Sequence, residues 1–260
     1  MDGSADADRD HVELRPRLPR QHRHRGWVSR IRARARSNRG VAIVEAAFIT
    51  PVFFALVLGV CEGGLYMKDY LSMSNAVRAG ARSASAGGAD AKADLYTVFD
   101  IANEAAALGG NQIQYVVVYK ATGPGAGPTD TGGPSSTGCK SGVPVTGVCN
   151  VYYPDDLKRA VAQVQEESAQ AAAVAAGQTR TIDANKIWFG CLTTGPHANA
   201  SPDRYWCPGT RKDGRSDNNK AGPDYVGIWM KVNHGWVTKM FGNTSTMTDQ
   251  SVIQIEPRAE

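Results

Sequence analysis

The sequence predicts an α+β protein. One long N-terminal transmembrane helix continues into an exported domain with a small antiparallel sheet, flanking helices and long disulfide-restrained loops. Three observations predict it: an apolar run from Val41 to Met67, alternating strand-like segments near residues 112–120 and 225–233, and four Cys confined to the chain beyond residue 138. The division expected is a basic disordered cytoplasmic leader over 1–40, a membrane helix over 41–67, a helical extension and linker over 68–88, and an extracytoplasmic domain over 89–260.

The chain of 260 residues is 42% hydrophobic and 21% charged, ordinary for a globular protein, but its charge is unevenly placed. Residues 1–40 hold 11 Arg and no Lys against 5 acids, so the net charge of +4 belongs to this end and the rest is slightly acidic. Such a run has the electrostatics of a nucleic-acid arm. Its scarcity of apolar residues before Trp27, and its position directly against a hydrophobic segment, favour a solvated cytoplasmic leader and no nucleic-acid partner.

At 1.5 Å per residue, Val41–Met67 makes about 40 Å of helix, enough to cross a bilayer core in contact with membrane lipid. The Arg-rich side faces Lys68, Arg78 and Arg82 on the other, which orients the N-terminus to the cytoplasm. Ala84-Ser85-Ala86 has the form of a signal-peptide cleavage site but lies too far downstream, so the helix is expected to stay as an anchor in the cytoplasmic membrane. Two acids interrupt the run. Glu62 reads as an interfacial residue beside Gly63 and Gly64. Glu45, about one turn inside the boundary, asks for a partner, unless it snorkels or is protonated. Pro51 removes a backbone donor and reads either as a tolerated membrane kink or as a bend with a role of its own.

Beyond the run, Tyr66, Tyr70, Met73, Val77, Gly80 and Ala84 recur at spacings of three and four, a face that packs on a partner or on the chain's own domain. Residues 90–107 read as a second helix with Leu95, Phe99, Ala102 and Ala106 on one face, and Gln112–Lys120 as a strand. Gly, Pro, Ser and Thr make 121–150 a loop. Pro154, Asp155 and Asp156 open a helix that ends at Gly177. A strand is expected near Lys186–Thr193, then a polar loop to Asp224. The strand Tyr225–Asn233 has Val226, Ile228, Met230 and Val232 on one face, and Ser251–Glu256 is expected beside it.

Cys139, Cys149, Cys191 and Cys207 fit an oxidising compartment, and sequence order favours Cys139 with Cys149 and Cys191 with Cys207 among three possible pairings. The absence of a close C-x-x-C pair argues against zinc, so neither metal nor cofactor is expected. Cys61 reads as a small apolar packer. Asp213–Asn219 lacks the spacing of a calcium loop. No Ser stands in a nucleophile setting, so no enzyme and no catalytic residue is predicted. Tyr205, Trp206, Trp229 and Trp236 are either partly buried core or an adhesive surface.

Gly40-Val41-Ala42-Ile43-Val44-Glu45 places Gly after a basic leader and Glu five residues on, opening an apolar helix. This is similar to the processing site of type IV prepilins, with the cut between Gly40 and Val41. The wider RGVAIVEAAFITPVFFALVLGVCEGG, followed by NAVRAGAR at 75–82, resembles the TadE-like family of tight-adherence pilus assembly proteins. Arg39, Gly40, Val44, Glu45, Pro51, Gly59 and Gly64 fall where that family's first block has them, and Ala76, Arg78, Gly80, Ala81 and Arg82 match the second.

The resemblance implies a minor pilin or pseudopilin. Its partners would be other pilin-like subunits, the pilus assembly machinery and a prepilin peptidase. Pro51, Gly59, Gly64, Arg78, Gly80 and Arg82 would pack helices. Cleavage would expose an α-amine with a reference pKa of about 7.7 to 8.0, which Glu45 of a neighbouring subunit would pair with, fixing axial register. The rival class is a membrane-anchored binding or adhesion module that never polymerises.

Overall fold

The computed structural model describes residues 39–108, 112–128, 138–214 and 222–256. The leader expected over 1–40 lies outside the described residues as far as position 38. So do 129–137 of the Gly/Pro loop, most of Asp213–Asn219, and Pro257. The chain divides between Leu56 and Val57 into two units. In the first, the described residues are helical and exposed. The second is the packed α+β unit.

The elements are α1 (Arg39–Gly87), α2 (Ala93–Glu104) with a 3-10 turn Ala105–Leu108, β1 (Ile113–Ala121), β2 (Cys149–Tyr152), α3 (Pro154–Ala175), β3 (Tyr225–Gly235) and β4 (Thr244–Gln254). The α+β class predicted from the sequence is the one observed. The strands form one sheet in the order β2-β1-β3-β4, each pair antiparallel.

Within the second unit, α1 packs on the sheet through residues spaced by three and four. Met73, Ala76, Val77, Ala81 and Ala84 join Leu95, Val98 and Ile101 of α2 and Val226, Ile228, Met230 and Val232 of β3 in one core. Of the two expectations for the face beyond the apolar run, packing on the chain's own domain is the one found. Tyr70 is exposed and the neighbouring Asp69 is buried in its stead. The helical stripe is therefore turned by one residue at that turn, and an acid, not a phenol, enters the core. On α2 the buried series is Leu95, Val98, Ile101, continued by Ala105 of the 3-10 turn, and Phe99 is only half-buried.

β1 is buried along nearly its whole length, as expected for a central strand covered on both faces. Helices cover one face. The other carries Tyr115, Val117, Tyr119 and Trp229 beneath the loop closed by Cys139–Cys149. Tyr119 lies across Gly227, its partner in register, where any β-carbon would collide with the ring, and its hydroxyl donates to Ala126 O at 2.8 Å. The Gly there is what admits the ring.

Two expectations are corrected. The loop assigned to 121–150 ends in a strand, since Cys149 and Asn150 begin β2, paired with Tyr119 and Val118. Four residues between a loop and Pro154 are too few for alternation to register in sequence. Second, Lys186–Thr193 is not a strand. A 3-10 turn, Ala184–Lys186, leads into irregular chain whose amides are taken by side chains. Gln163 Oε1 of α3 accepts from Trp188 N at 2.8 Å and Phe189 N at 2.9 Å, and Asp203 accepts from Gly190 N at 2.7 Å and Cys191 N at 3.1 Å. These donors have no need of a neighbouring strand. Cys191 takes a left-handed φ of 52° and is bonded to Cys207.

That irregular segment is held to the sheet by a buried polar group. Asp94 accepts from Tyr152 Oη at 2.5 Å and Asn150 Nδ2 at 2.8 Å, and meets Arg211 at 2.7 Å. Asn150 also bridges to the backbone of Trp206, whose ring lies under the Arg211 guanidinium at 4.1 Å. Burial chiefly, and the neighbouring carboxylates, push the Tyr152 phenol well above its usual range, so it stays a donor.

Candidate functional site

α1 changes character along its length. From Val41 to Cys61 every residue is exposed or half-exposed, and Val41, Phe48, Phe53, Leu56 and Val60 present large apolar side chains. The helix is long and apolar enough to cross a membrane, and none of its most apolar window is buried. From Glu62 onward burial recurs at 62, 69, 73, 74, 76, 77, 80, 81, 84 and 85. A surface of this length without cover in water is unfavourable, so the first stretch calls for lipid or other helices.

The predicted positions divide along the same line. Gly40, Val41 and Glu45 lie at the start of α1, all exposed, and Glu45 has no ion-pair or hydrogen-bond partner among the described residues. The helix assignment runs unbroken through Pro51. Gly59 and Gly64 have nothing within 4 Å of where a β-carbon would stand, so close approach by another helix is sterically open there. Arg78 and Arg82 are exposed, while Gly80 is buried against Ile101 and Ile228. Within the second unit the structure thus brings Gly80 into the core, buries Glu62, and leaves Gly59 and Gly64 with open space about them.

Glu62 and Asp69 are the positions that sequence reasoning misses. Glu62, read as interfacial, is 1% exposed and accepts from Val237 N at 3.2 Å and from Thr238 N. Asp69 meets His234. The signal available in sequence is their spacing of seven, two turns apart on one face, in register with Met73 and Ala76.

Both disulfides join the pairs favoured by sequence order, Cys139–Cys149 and Cys191–Cys207, and Cys61 is free and exposed. Trp206 and Trp229 are buried.

The exposed apolar helix, its small residues and the buried stripe that follows are one segment, and that segment matches a known family. Residues 40–82 match the TadE-like protein family. The TadE-like match associates the chain with tight-adherence pilus proteins, a structural rather than enzymatic family, and it covers most of α1 but none of the sheet. No match was found among curated proteins or among solved structures. The exposed span of the TadE-like segment is consistent with anchoring in a membrane.

Proposed function

We propose that the chain is a minor pilin or pseudopilin of a tight-adherence pilus, inserted with its N-terminus in the cytoplasm, cut after Gly40 by a prepilin peptidase, and assembled through the first part of α1. The observation that carries this reading is the exposed apolar stretch from Val41 to Cys61 within the TadE-like match. Pilin-like subunits need a helix left free to pack on others, and nothing among the described residues covers this one. Glu45, exposed near its start, supports a registry role: only a subunit at the right axial offset offers it the new α-amine. Two disulfides in the C-terminal domain support export to an oxidising compartment.

The test is intact mass and N-terminal sequencing of the membrane-extracted protein, made with and without its cognate peptidase. A peptidase-dependent start at Val41 is expected. An unchanged Met1 under both conditions overturns the pilin route and leaves a permanently anchored binding module. With cleavage established, Glu45→Gln is expected to leave insertion and cleavage intact and to reduce recovery in sheared pili.

A further inference from the structure

The connection between β3 and β4, residues 236–243, lies outside the family match and exposes more apolar surface than a hairpin turn requires. Val237 is 73% exposed, Met240 53% and Phe241 59%. The eight residues include one cation, Lys239, and no acid. Scattered exposed apolar residues are ordinary, but three large ones in one tight connection mark an interaction surface.

The loop is held in place. Val237 N and Thr238 N both donate to Glu62. The Trp236 ring stacks on Tyr66, centroids 5.5 Å apart, and lies 5.2 Å from Phe241. Lys239 and Gly242 take left-handed φ values of 59° and 103°, which tighten the turn. Glu62 is the point where α1 passes from exposed apolar residues (Val57, Leu58, Val60) to its buried stripe. The loop is therefore tied to the level at which the lipid-compatible part of the helix ends.

We propose that residues 236–243 form a second membrane contact, in which Val237, Met240 and Phe241 enter the bilayer interface beside α1 and Lys239 reaches lipid phosphates. This rests on the reading of the apolar part of α1 as a membrane span. Aromatic rings and Lys are the side chains favoured where hydrocarbon meets headgroups. Glu62 fits the same position, because its carboxylate is spent on two backbone donors and is not left unpaired at the lipid edge. Lipid, not a second copy of the chain, is the occupant because the loop is bound at the height where lipid already surrounds the helix. The domain is then held at a fixed tilt on the membrane, not hinged on a single tether.

The test uses the full chain with Cys61→Ser, reconstituted in vesicles of phosphatidylcholine and phosphatidylglycerol with spin-labelled quencher lipids. A polarity-sensitive fluorophore is attached through Phe241→Cys or, separately, Val237→Cys. Labels attached through Phe53→Cys in the apolar run and Val174→Cys at the exposed end of α3 mark the lipid and water limits. The loop labels are expected to shift to shorter wavelength and to be quenched most by lipids spin-labelled near the headgroup, and the Phe53 label most by lipids spin-labelled deep in the acyl chains. Loop labels that behave like the Val174 label while the Phe53 label is quenched overturn the loop contact alone. A Phe53 label that also stays unquenched overturns the membrane span itself. Loop labels shielded from water only at high protein density, and never quenched by lipid, overturn the proposal in favour of a contact between copies.

Discussion

His234 of β3 and Asp69 of α1 meet inside the packed unit, Nδ1 to Oδ2 at 2.7 Å, with both side chains buried. Tyr66 and Trp236 stand edge-on to the imidazole at 5.4 Å and 4.8 Å. Two turns earlier Glu62 takes the amides that follow the same strand. Apolar packing alone tolerates sliding of a helix on a sheet. Two directional contacts in series do not, and they fix how α1 sits on the far end of β3.

Removing the Asp69 acceptor leaves a buried ring nitrogen unpaired. Asp69→Ala is expected to cost about 1–3 kcal/mol of unfolding free energy, and Asp69→Asn, which keeps an acceptor, distinctly less. Urea unfolding of the detergent-solubilised chain, followed by tryptophan fluorescence, measures both. Equal losses for the two variants would show that packing volume, not the hydrogen bond, matters at this site.

Asp94 and Arg211 are a fully buried ion pair, 2.7 Å apart. Truncating one partner strands the other's charge, so Arg211→Met is expected to destabilise by about 3–5 kcal/mol. Adding Asp94→Asn removes the stranded charge and is expected to recover part of that loss. The double-mutant cycle by chemical denaturation gives the coupling, and strictly additive losses would refute it.

Much of this architecture is legible in sequence because it is periodic. The apolar run, the stripe at Met73, Val77 and Ala84, and the alternation at Val226, Ile228, Met230 and Val232 each follow from one secondary-structure period. What escapes is non-periodic or polar. β2 is too short to alternate, and Trp188 and Phe189 satisfy their amides through a Gln 25 or 26 residues away. Asp69 and Glu62 are acids whose partners, His234, Val237 and Thr238, lie more than 160 residues downstream. The candidate assembly residues Gly40, Val41 and Glu45 are readable from motif alone, since all three are exposed and no side-chain partner of Glu45 stands among the described residues.

Glu166 gives the fold an acid-sensitive point. Hydrogen bonds from Lys186, at 2.9 Å, and then Arg180, at 3.1 Å, lower its pKa from 4.5 to about 2. A carboxylate with a depressed folded-state pKa stabilises the fold above its unfolded value, and that stabilisation is lost as pH falls through the folded value. The contribution is thus complete above about pH 4.5 and disappears towards about pH 2. Glu166→Gln is expected to flatten the melting temperature across this window and to loosen the 180–186 segment from α3. Melting curves and amide exchange from pH 5 to pH 2 measure both. A Glu166→Gln variant with the parent's acid profile would remove this group from the account.

Gly80 stands where α1 packs directly on Ile101 of α2, and its role differs from that of the open glycines before it. A β-carbon at Gly80 would stand 2.5 Å from both Cδ1 and Cγ1 of Ile101, whereas at Gly59 and Gly64 it would meet nothing within 4 Å. Gly80→Ala therefore requires Ile101 to leave its place in a core where its neighbours are fully buried, at a cost of about 1–3 kcal/mol. Ile101→Val shortens the obstructing side chain, so the pair Gly80→Ala with Ile101→Val is expected to be less destabilised than the sum of the two single changes. Gly59→Ala and Gly64→Ala are expected to leave the unfolding of the detergent-solubilised subunit unchanged, since no neighbour among the described residues is displaced. Any defect from those two substitutions is expected in recovery of assembled pili alone. Loss of subunit stability on Gly59→Ala equal to that on Gly80→Ala would contradict the division of α1 into a core-packing part and an exposed part.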